Sequence, residues 1–364
     1  MNLIFDGNYF FYKTLFTFNG YSNSKKILGS KKDQEMFIRK VATDISHSIR
    51  MFEKPSRIIF TIDSRSWRKD IPIENGGYKT NRAKTDTTID WDSFYQCMDD
   101  FAAAIEPKGF IISREKRAEG DDLMYLWANR LLNDGQDSVI VTGDGDAVQC
   151  VRLENENFII IYNPNSKNRK LIAPHGFVEW TNKKTDGIDI FNLSEHINVN
   201  RDVITELTKK LTVEETDATY KIFEKIVIGD DGDTVPPIWS WIKNDKTYRI
   251  TPAKAQLIYN DIVKTDNPIE LPNYASEFSA AIEKHCKQKV SAEVLRSRLD
   301  RNIQLVYLDR NVIPSDIVQA FDNSYSNKIK TRIQIDTFDV NTLLSGTKYI
   351  KSNQYESDFF SNFS

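Results

Sequence analysis

The sequence predicts an α/β protein, with a mainly parallel central sheet flanked by helices and a helical C-terminal region. Two observations predict it. First, three short β-rich apolar runs (Leu3-Ile4-Phe5, Arg57 to Ile62, Ser138 to Thr142) are separated by helical stretches around 33–52, 91–105 and 119–133. Strand–helix alternation of this kind builds a parallel sheet covered by helices. Second, each run leads into an acid: Asp6, Asp63, and Asp144 with Asp146. In such sheets the ligand crevice lies beyond the carboxyl ends of the strands.

The elements follow in order. Met1 leads straight into the first strand, with no basic n-region or apolar h-region, so no signal peptide is expected. No apolar run approaches the ~18 residues that a membrane span needs. Glu119-Gly120-Asp121-Asp122 opens the helix that continues Leu123 to Trp127. Residues 154–163 read as a further strand, and 164–215 as a polar, irregular insertion containing Lys167, Arg169, Lys170, Lys183 and Lys184. From about 201 the pattern is mostly helical, with 301–345 a helical or extended part packing on the core and 346–364 a tail. Cys97, Cys150 and Cys286 are odd in number and widely spaced, which suits a reducing cytosol and a cytoplasmic protein.

Nine carboxylates form the chemical signal: Asp6, Asp63, Glu119, Asp121, Asp122, Asp144, Asp146, Asp230 and Asp233. Two unit charges about 4 Å apart repel by roughly 4 kcal/mol at a surface-like effective dielectric. Carboxylates gathered at one sheet edge therefore need hard cations with oxygen ligands. Two such cations are a device for splitting phosphodiesters, so the pattern points to a metal-dependent nuclease using two Mg²⁺, with Mn²⁺ substituting. Acids in a first helical turn also complement the helix dipole, and Glu119 to Asp122 taken alone read that way. The chain carries a formal −3; setting the nine acids aside leaves the rest at +6, room for a basic binding surface.

That surface is expected after Asp63. Arg65, Trp67, Arg68, Lys69, Tyr78, Lys79, Arg82 and Lys84 interleave cations with aromatic rings, which suits phosphates and stacked bases. Further on, Gly229-Asp230-Asp231-Gly232-Asp233-Thr234-Val235-Pro236 is a Gly/Asp turn without the ligand ladder of an EF-hand. Thr251-Pro252-Ala253-Lys254 starts a helix whose N-terminus and Lys254 can meet a phosphate.

Together these motifs resemble the 5′-nuclease superfamily of flap endonucleases and 5′-3′ exonucleases, and most strongly its T-even-type phage ribonuclease H branch. Asp6-Gly7-Asn8 with Tyr12-Lys13 is similar to the family's opening Asp-Gly and its basic residue in the next helix. Tyr78-Lys79-Thr80-Asn81-Arg82 is similar to its Tyr-Lys-x-x-Arg; Glu119 to Asp122 to its Glu-Ala-Asp-Asp; Thr142 to Asp146 to its Thr-Gly-Asp-x-Asp; and Gly229 to Pro236 to its Gly-Asp-x-Ser-Asp-Asn-Val-Pro.

The resemblance implies an arch over about 64–90 within a catalytic core of 1–163, and a helix–three-turn–helix DNA-binding region in 216–300. It implies Asp6, Asp63, Glu119, Asp121, Asp144 and Asp146 around a tighter Mg²⁺, and Asp122, Asp230 and Asp233 around a looser one. Lys79 and Arg82 would act on the scissile phosphate beside Asp144, while Lys13 and Lys254 would hold nucleic acid. The family turn contains Gly-Ile-Gly before its lysine and holds K⁺ in many members. Here that stretch is Trp241 to Ile250, so K⁺ stays an open expectation.

Expected partners are DNA with 5′ ends or flaps and RNA–DNA hybrid, acted on by a monomer. A single-strand-binding protein or a sliding clamp is a further candidate, through the aromatic tail Ser357 to Phe363. Two other readings are a PIN-type ribonuclease and a DNA-structure-binding protein that lost activity.

Overall fold

The computed structural model describes residues 1–18, 25–73, 76–80, 87–165, 167, 169–182, 200–262 and 267–349. The N-terminal half alternates as the hydrophobic runs require. It contains β1 (Asn2–Asp6), α1 (Gly7–Thr17), α2 (Lys31–Arg50), β2 (Arg57–Thr61), α3 (Trp91–Ile105), β3 (Phe110–Ser113), α4 (Gly120–Asn133) and β4 (Ser138–Val141). Next come β5 (Arg152–Glu154), β6 (Asn157–Asn163), β7 (Lys170–Pro174), α5 (Phe177–Asn182), α6 (Arg201–Lys210) and β8 (Thr212–Thr216). The C-terminal part holds α7 (Ala218–Ile228), a ribbon of β9 (Ser240–Lys243) and β10 (Lys246–Arg249), then α8 (Pro252–Ile262), α9 (Ala275–Cys286), α10 (Ala292–Val306), α11 (Ser315–Lys328) and α12 (Val340–Leu344).

The sheet order is β3-β2-β1-β4-β6-β7-β8, with β5 pairing on β6. Strands β3, β2, β1, β4 and β6 run parallel, so their carboxyl ends share one edge. Register fixes that edge: Asp6 pairs with Thr61, and Thr61 with Ser113. β7 runs antiparallel to β6, and β8 runs parallel to β7.

Period-2 alternation feeds a core on each face of the sheet. Leu3, Phe5, Ile58, Phe60, Val139 and Val141 join one core; Ile4, Ile59, Ile111 and Ile140 join the other. A third core belongs to α7–α10 and also takes in Tyr78 from the segment after Asp63.

Two features differ from the sequence reading. The stretch 164–215, read as an irregular insertion, supplies β7 to the sheet and two short helices, α5 and α6, and runs into β8, the last sheet strand. β7 buries only the short run Leu171-Ile172-Ala173, and β8 has one apolar residue because its first four positions alternate exposed and half-buried at the sheet's margin. The expected arch forms no α-helix among its described residues; these hold a 3₁₀ turn at Trp67–Asp70, isolated bridges at Ile73–Gly76 and Ile27–Ile89, and turns at 78–80 and 87–88. No described helix is long and apolar enough to cross a membrane.

Candidate active site and metal centre

The carboxyl edge of the sheet gathers the first acids. Asp6 ends β1 and caps α1, accepting from the Tyr9 N–H at 2.9 Å through Oδ1, while Oδ2 accepts from the Thr142 hydroxyl at 2.8 Å. Thr142 in turn accepts from the Asp144 N–H at 3.0 Å, and Asp144 caps the next turn by accepting from the Asp146 N–H at 2.9 Å. Asp63 follows β2; its N–H donates to Asn8 Oδ1, and its Oδ1 accepts from the Gly120 N–H at 2.5 Å. A Cβ at Gly120 would stand 2.9 Å from Asp63 Oδ1, so an alanine here would shift the Asp63 carboxylate slightly. Asp121 lies one residue into α4 and feels the charges of Asp144, Asp6 and Asp146.

A second trio stands beside this group. Carboxylate oxygens of Asp146, Asp230 and Asp233 all lie within 4.8 Å of one another. Gly229 makes the turn possible: its φ is +80°, and a Cβ there would collide with the Val235 carbonyl. Asp230 then accepts from the N–H groups of Gly232 and Asp233. Lys225, in the last turn of α7, reaches both Asp146 and Asp230, the latter at 2.9 Å. Sequence reasoning missed Lys225, because a lysine in a last helical turn already has a role against the helix dipole. Its only signal was its place five residues before Asp230.

Glu119 and Asp122 play a different part from Asp6 or Asp144. Arg68, 2 % exposed, forks onto both: Nη1 to Glu119 at 2.9 Å and Nη2 to Asp122 at 2.8 Å. Asp122, wholly buried, also accepts from Trp67 Nε1 at 3.1 Å and from the Glu119 N–H, closing a capping box on α4. Lys79 Nζ pairs with Glu119 and lies 3.8 Å from Asp233, while the Tyr78 hydroxyl donates to both of those acids.

These contacts correct three expectations. Asp122, expected as a ligand of the looser ion, has its oxygens engaged by Arg68 and Trp67. Trp67 and Arg68, expected on a nucleic-acid surface, are buried beneath the site instead. Tyr78, expected to stack on bases, is buried with its ring in the third core. A run of cations and aromatics reads as surface in one dimension; folded against Glu119 and Asp122, it supplies their counter-charge.

The remaining sequence candidates are placed as follows. Arg65 and Lys69 are exposed, with Arg65 on Asp70. Lys13 pairs with Asp44 at 3.3 Å, and Lys254 lies over the Trp241 ring. Arg82 and Lys84, Lys183 and Lys184, and the tail from 350 lie outside the described residues.

Electrostatics separates the two kinds of acid. Burial, then the Asp63 and Asp144 charges, raise Asp6 to about 7. Burial and the neighbouring carboxylates, Asp144 first, also raise Asp121; burial raises Asp146 against the pull of Lys225. Glu119 moves the other way: burial works upward, but Lys79 and Arg68 hold it down at about 2. The raised group is an all-oxygen, under-neutralised donor set, which fits a hard divalent cation. Asp146, Asp230 and Asp233 would hold one ion in place of Lys225 and Asp6, Asp63, Asp121 and Asp144 the other; this departs from the expected sets in leaving out Glu119, whose oxygens face Arg68 and Lys79, and in moving Asp146 to the looser ion.

The sign of the pH effect follows. Between the ordinary carboxylate value of 3.8 and about 7, folded Asp6 keeps a proton that the unfolded chain has lost. Metal-free protein should therefore lose stability as pH rises through that window. Added Mg²⁺ should raise Tm more at about pH 8 than at about pH 5, because ions compete with protons for the same oxygens. Thermal melts with chelator and with Mg²⁺ at both pH values check this; an equal or absent Mg²⁺ shift would contradict the assignment.

Comparison with known proteins bears on the family and the fold. Residues 1–182 match the 5′-3′ exonuclease N-terminal resolvase-like domain. No match is found among curated proteins. Among solved structures, the bacteriophage T5 D15 protein co-crystallised with metal ions superposes with a TM-score of 0.51 at 16% identity, covering 91% of this chain and 100% of that one. The T5 D15 flap endonuclease in a pseudo-enzyme–product complex with DNA and metal ions gives 0.51 at 15%, again covering 91% and 100%. The T5 5′-exonuclease with bound zinc gives 0.50 at 15%, covering 91% and 99%. At such identities the superpositions establish the shared fold, while the domain match extends over half of the chain. The chain belongs to the 5′-3′ exonuclease family of phosphodiester hydrolases.

Proposed function

We propose that this protein is a divalent-metal-dependent 5′-to-3′ exonuclease and flap endonuclease that cleaves DNA, and RNA in RNA–DNA hybrids, and clears primers during DNA replication. The observation that carries the proposal is the trio Asp146, Asp230 and Asp233, whose carboxylate oxygens lie within 4.8 Å of one another, beside Asp6, Asp63, Asp121 and Asp144 at the carboxyl edge of the sheet. Two Mg²⁺ ions, replaceable by Mn²⁺, would supply an activated hydroxide and neutralise the phosphate in an in-line displacement.

The protein's own residues do the rest. Thr142 and the backbone N–H groups of Tyr9, Gly120 and Asp146 hold the carboxylates in place, as supporting bonds do around metal ligands. Lys79, already among Glu119 and Asp233, brings a cation to the reacting phosphate, and Arg82 is assigned the same task. Lys13, Arg65, Lys69, Lys84 and Lys254 follow the backbone of the substrate, DNA with a 5′ end or flap. The complex of the T5 D15 flap endonuclease with DNA and metal ions supports that substrate class.

A panel of 5′-flap duplex, RNA–DNA hybrid and plain single strand, each with Mg²⁺ and with chelator, tests the proposal. Mg²⁺-dependent cleavage of flap and hybrid is expected. Cleavage of the single strand alone would favour a PIN-type ribonuclease, and binding without cleavage an inactive DNA-structure binder.

A further inference from the structure

Lys225 stands among the acids assigned to the looser ion, and a helix end delivers it there. α7 runs to Ile228, and the Gly229 N–H closes its last turn on the Lys225 carbonyl at 3.0 Å. Gly229 also opens the turn that carries Asp230 and Asp233, so the lysine and two acids of the trio share one backbone unit. The ammonium ties that unit to the sheet half. It pairs with Asp230 at 2.9 Å and with Asp146 of the 3₁₀ turn at Gly145–Cys150. Asp233, the third acid, faces Lys79 at 3.8 Å. Each acid of the trio therefore has a lysine against it.

An ion pair in open solvent contributes little, but the Lys225 side chain is only 17% exposed. An ammonium and a hard divalent ion seek the same carboxylate oxygens. Lysine carries a compact charge on a flexible four-carbon stem, so it can hold those oxygens and release them while the helix stays in place. The other acid group is supported differently: Asp6 accepts from a hydroxyl and an N–H, and Asp144 from an N–H, donors that carry no charge to rival an ion. We infer that Lys225 is a tethered counter-cation that competes with the divalent ion at Asp146, Asp230 and Asp233, so that this site fills only at a higher ion concentration than the other. The inference rests on the nuclease assignment above for its ion and adds to it a control on ion uptake. Lys225 is thus a positioning residue: it gathers Asp146 and Asp230 before the ion arrives and gives them up to it.

The test compares Lys225→Met, which keeps an unbranched stem and loses the charge, with Lys225→Arg, which keeps the charge. Mn²⁺ alone is titrated by calorimetry and counted by electron paramagnetic resonance. Lys225→Met should bind Mn²⁺ at the weaker of the two sites about tenfold more tightly than the wild type, because a unit charge a few ångströms away has gone. Lys225→Arg should bind it as the wild type does. Melts separate competition from plain support. In chelator, Lys225→Met should melt below the wild type, since the trio has lost a counter-charge. In saturating Mn²⁺ that gap should close or reverse. Unchanged or weaker Mn²⁺ binding by Lys225→Met would overturn the inference. So would an equal drop in Tm with and without Mn²⁺, which would make Lys225 a structural partner only, or Mn²⁺ binding by Lys225→Arg as tight as by Lys225→Met. Should Mn²⁺ binding depend on Lys225 as expected while neither flap nor hybrid is cleaved, the nuclease assignment falls and the competition stands.

Discussion

Asp144→Asn is expected to lower Mg²⁺-dependent cleavage of a 5′-flap substrate by at least about 10²-fold, the scale on which a charge group at a reacting phosphate acts. The substitution removes one negative charge and keeps the shape. Asparagine Oδ1 can still accept from the Asp146 N–H, and the Asp144 N–H still reaches Thr142. Folding should be unaffected, and flap binding in Ca²⁺ should survive. Full turnover by this variant would remove Asp144 from the site. Lost turnover together with a lowered Tm would mean that it holds the 3₁₀ turn at Gly145–Cys150 rather than the chemistry.

Asp122→Ala is expected to act on stability instead. Arg68 and Asp122 are both buried, and Asp122 also satisfies Trp67 and the Glu119 N–H. Removing Asp122 leaves buried Arg68 with Glu119 as its remaining carboxylate and Trp67 Nε1 without its acceptor, which should cost up to the about 3–5 kcal/mol of a broken buried pair. Replacing both with apolar residues of similar volume, Arg68→Met with Asp122→Leu, should cost less than Asp122→Ala alone. Urea denaturation of the single and double variants closes the cycle. If Asp122→Ala kept its stability and lost Mg²⁺ affinity, Asp122 would be a metal ligand, as its place in the motif first suggested.

The contrast between these two acids shows what a sequence can reveal. β1, β2 and β4 were legible because each is an apolar run leading into an acid, and alternation along Leu3-Ile4-Phe5 serves both cores; β3, with no acid after it, was not read. The acids were legible as a group because strand ends share an edge. Their roles were not: Asp121 and Asp122 are neighbours in the chain, yet α4 turns one toward Asp144 and the other toward Arg68. The burial of Arg68, Trp67 and Tyr78 was hidden for a related reason. A basic, aromatic segment has the composition of a solvated loop, and only tertiary contacts with Glu119, Asp122 and Asp233 reverse that. Lys225 escaped notice because nothing local marks it, and β8 because a marginal strand needs few apolar residues.

The Tyr78 ring is packed among the C-terminal helices while its hydroxyl touches Glu119 of the sheet half and Asp233 of the Gly-Asp turn. The neighbouring Lys79 N–H is bonded to the Asp233 carbonyl at 2.9 Å. Residues 78 and 79 thus work as a rivet through two plates. Any shift of this segment would pull on both plates at once, so the position of residues 78 and 79 and the alignment of Glu119 with Asp233 change together.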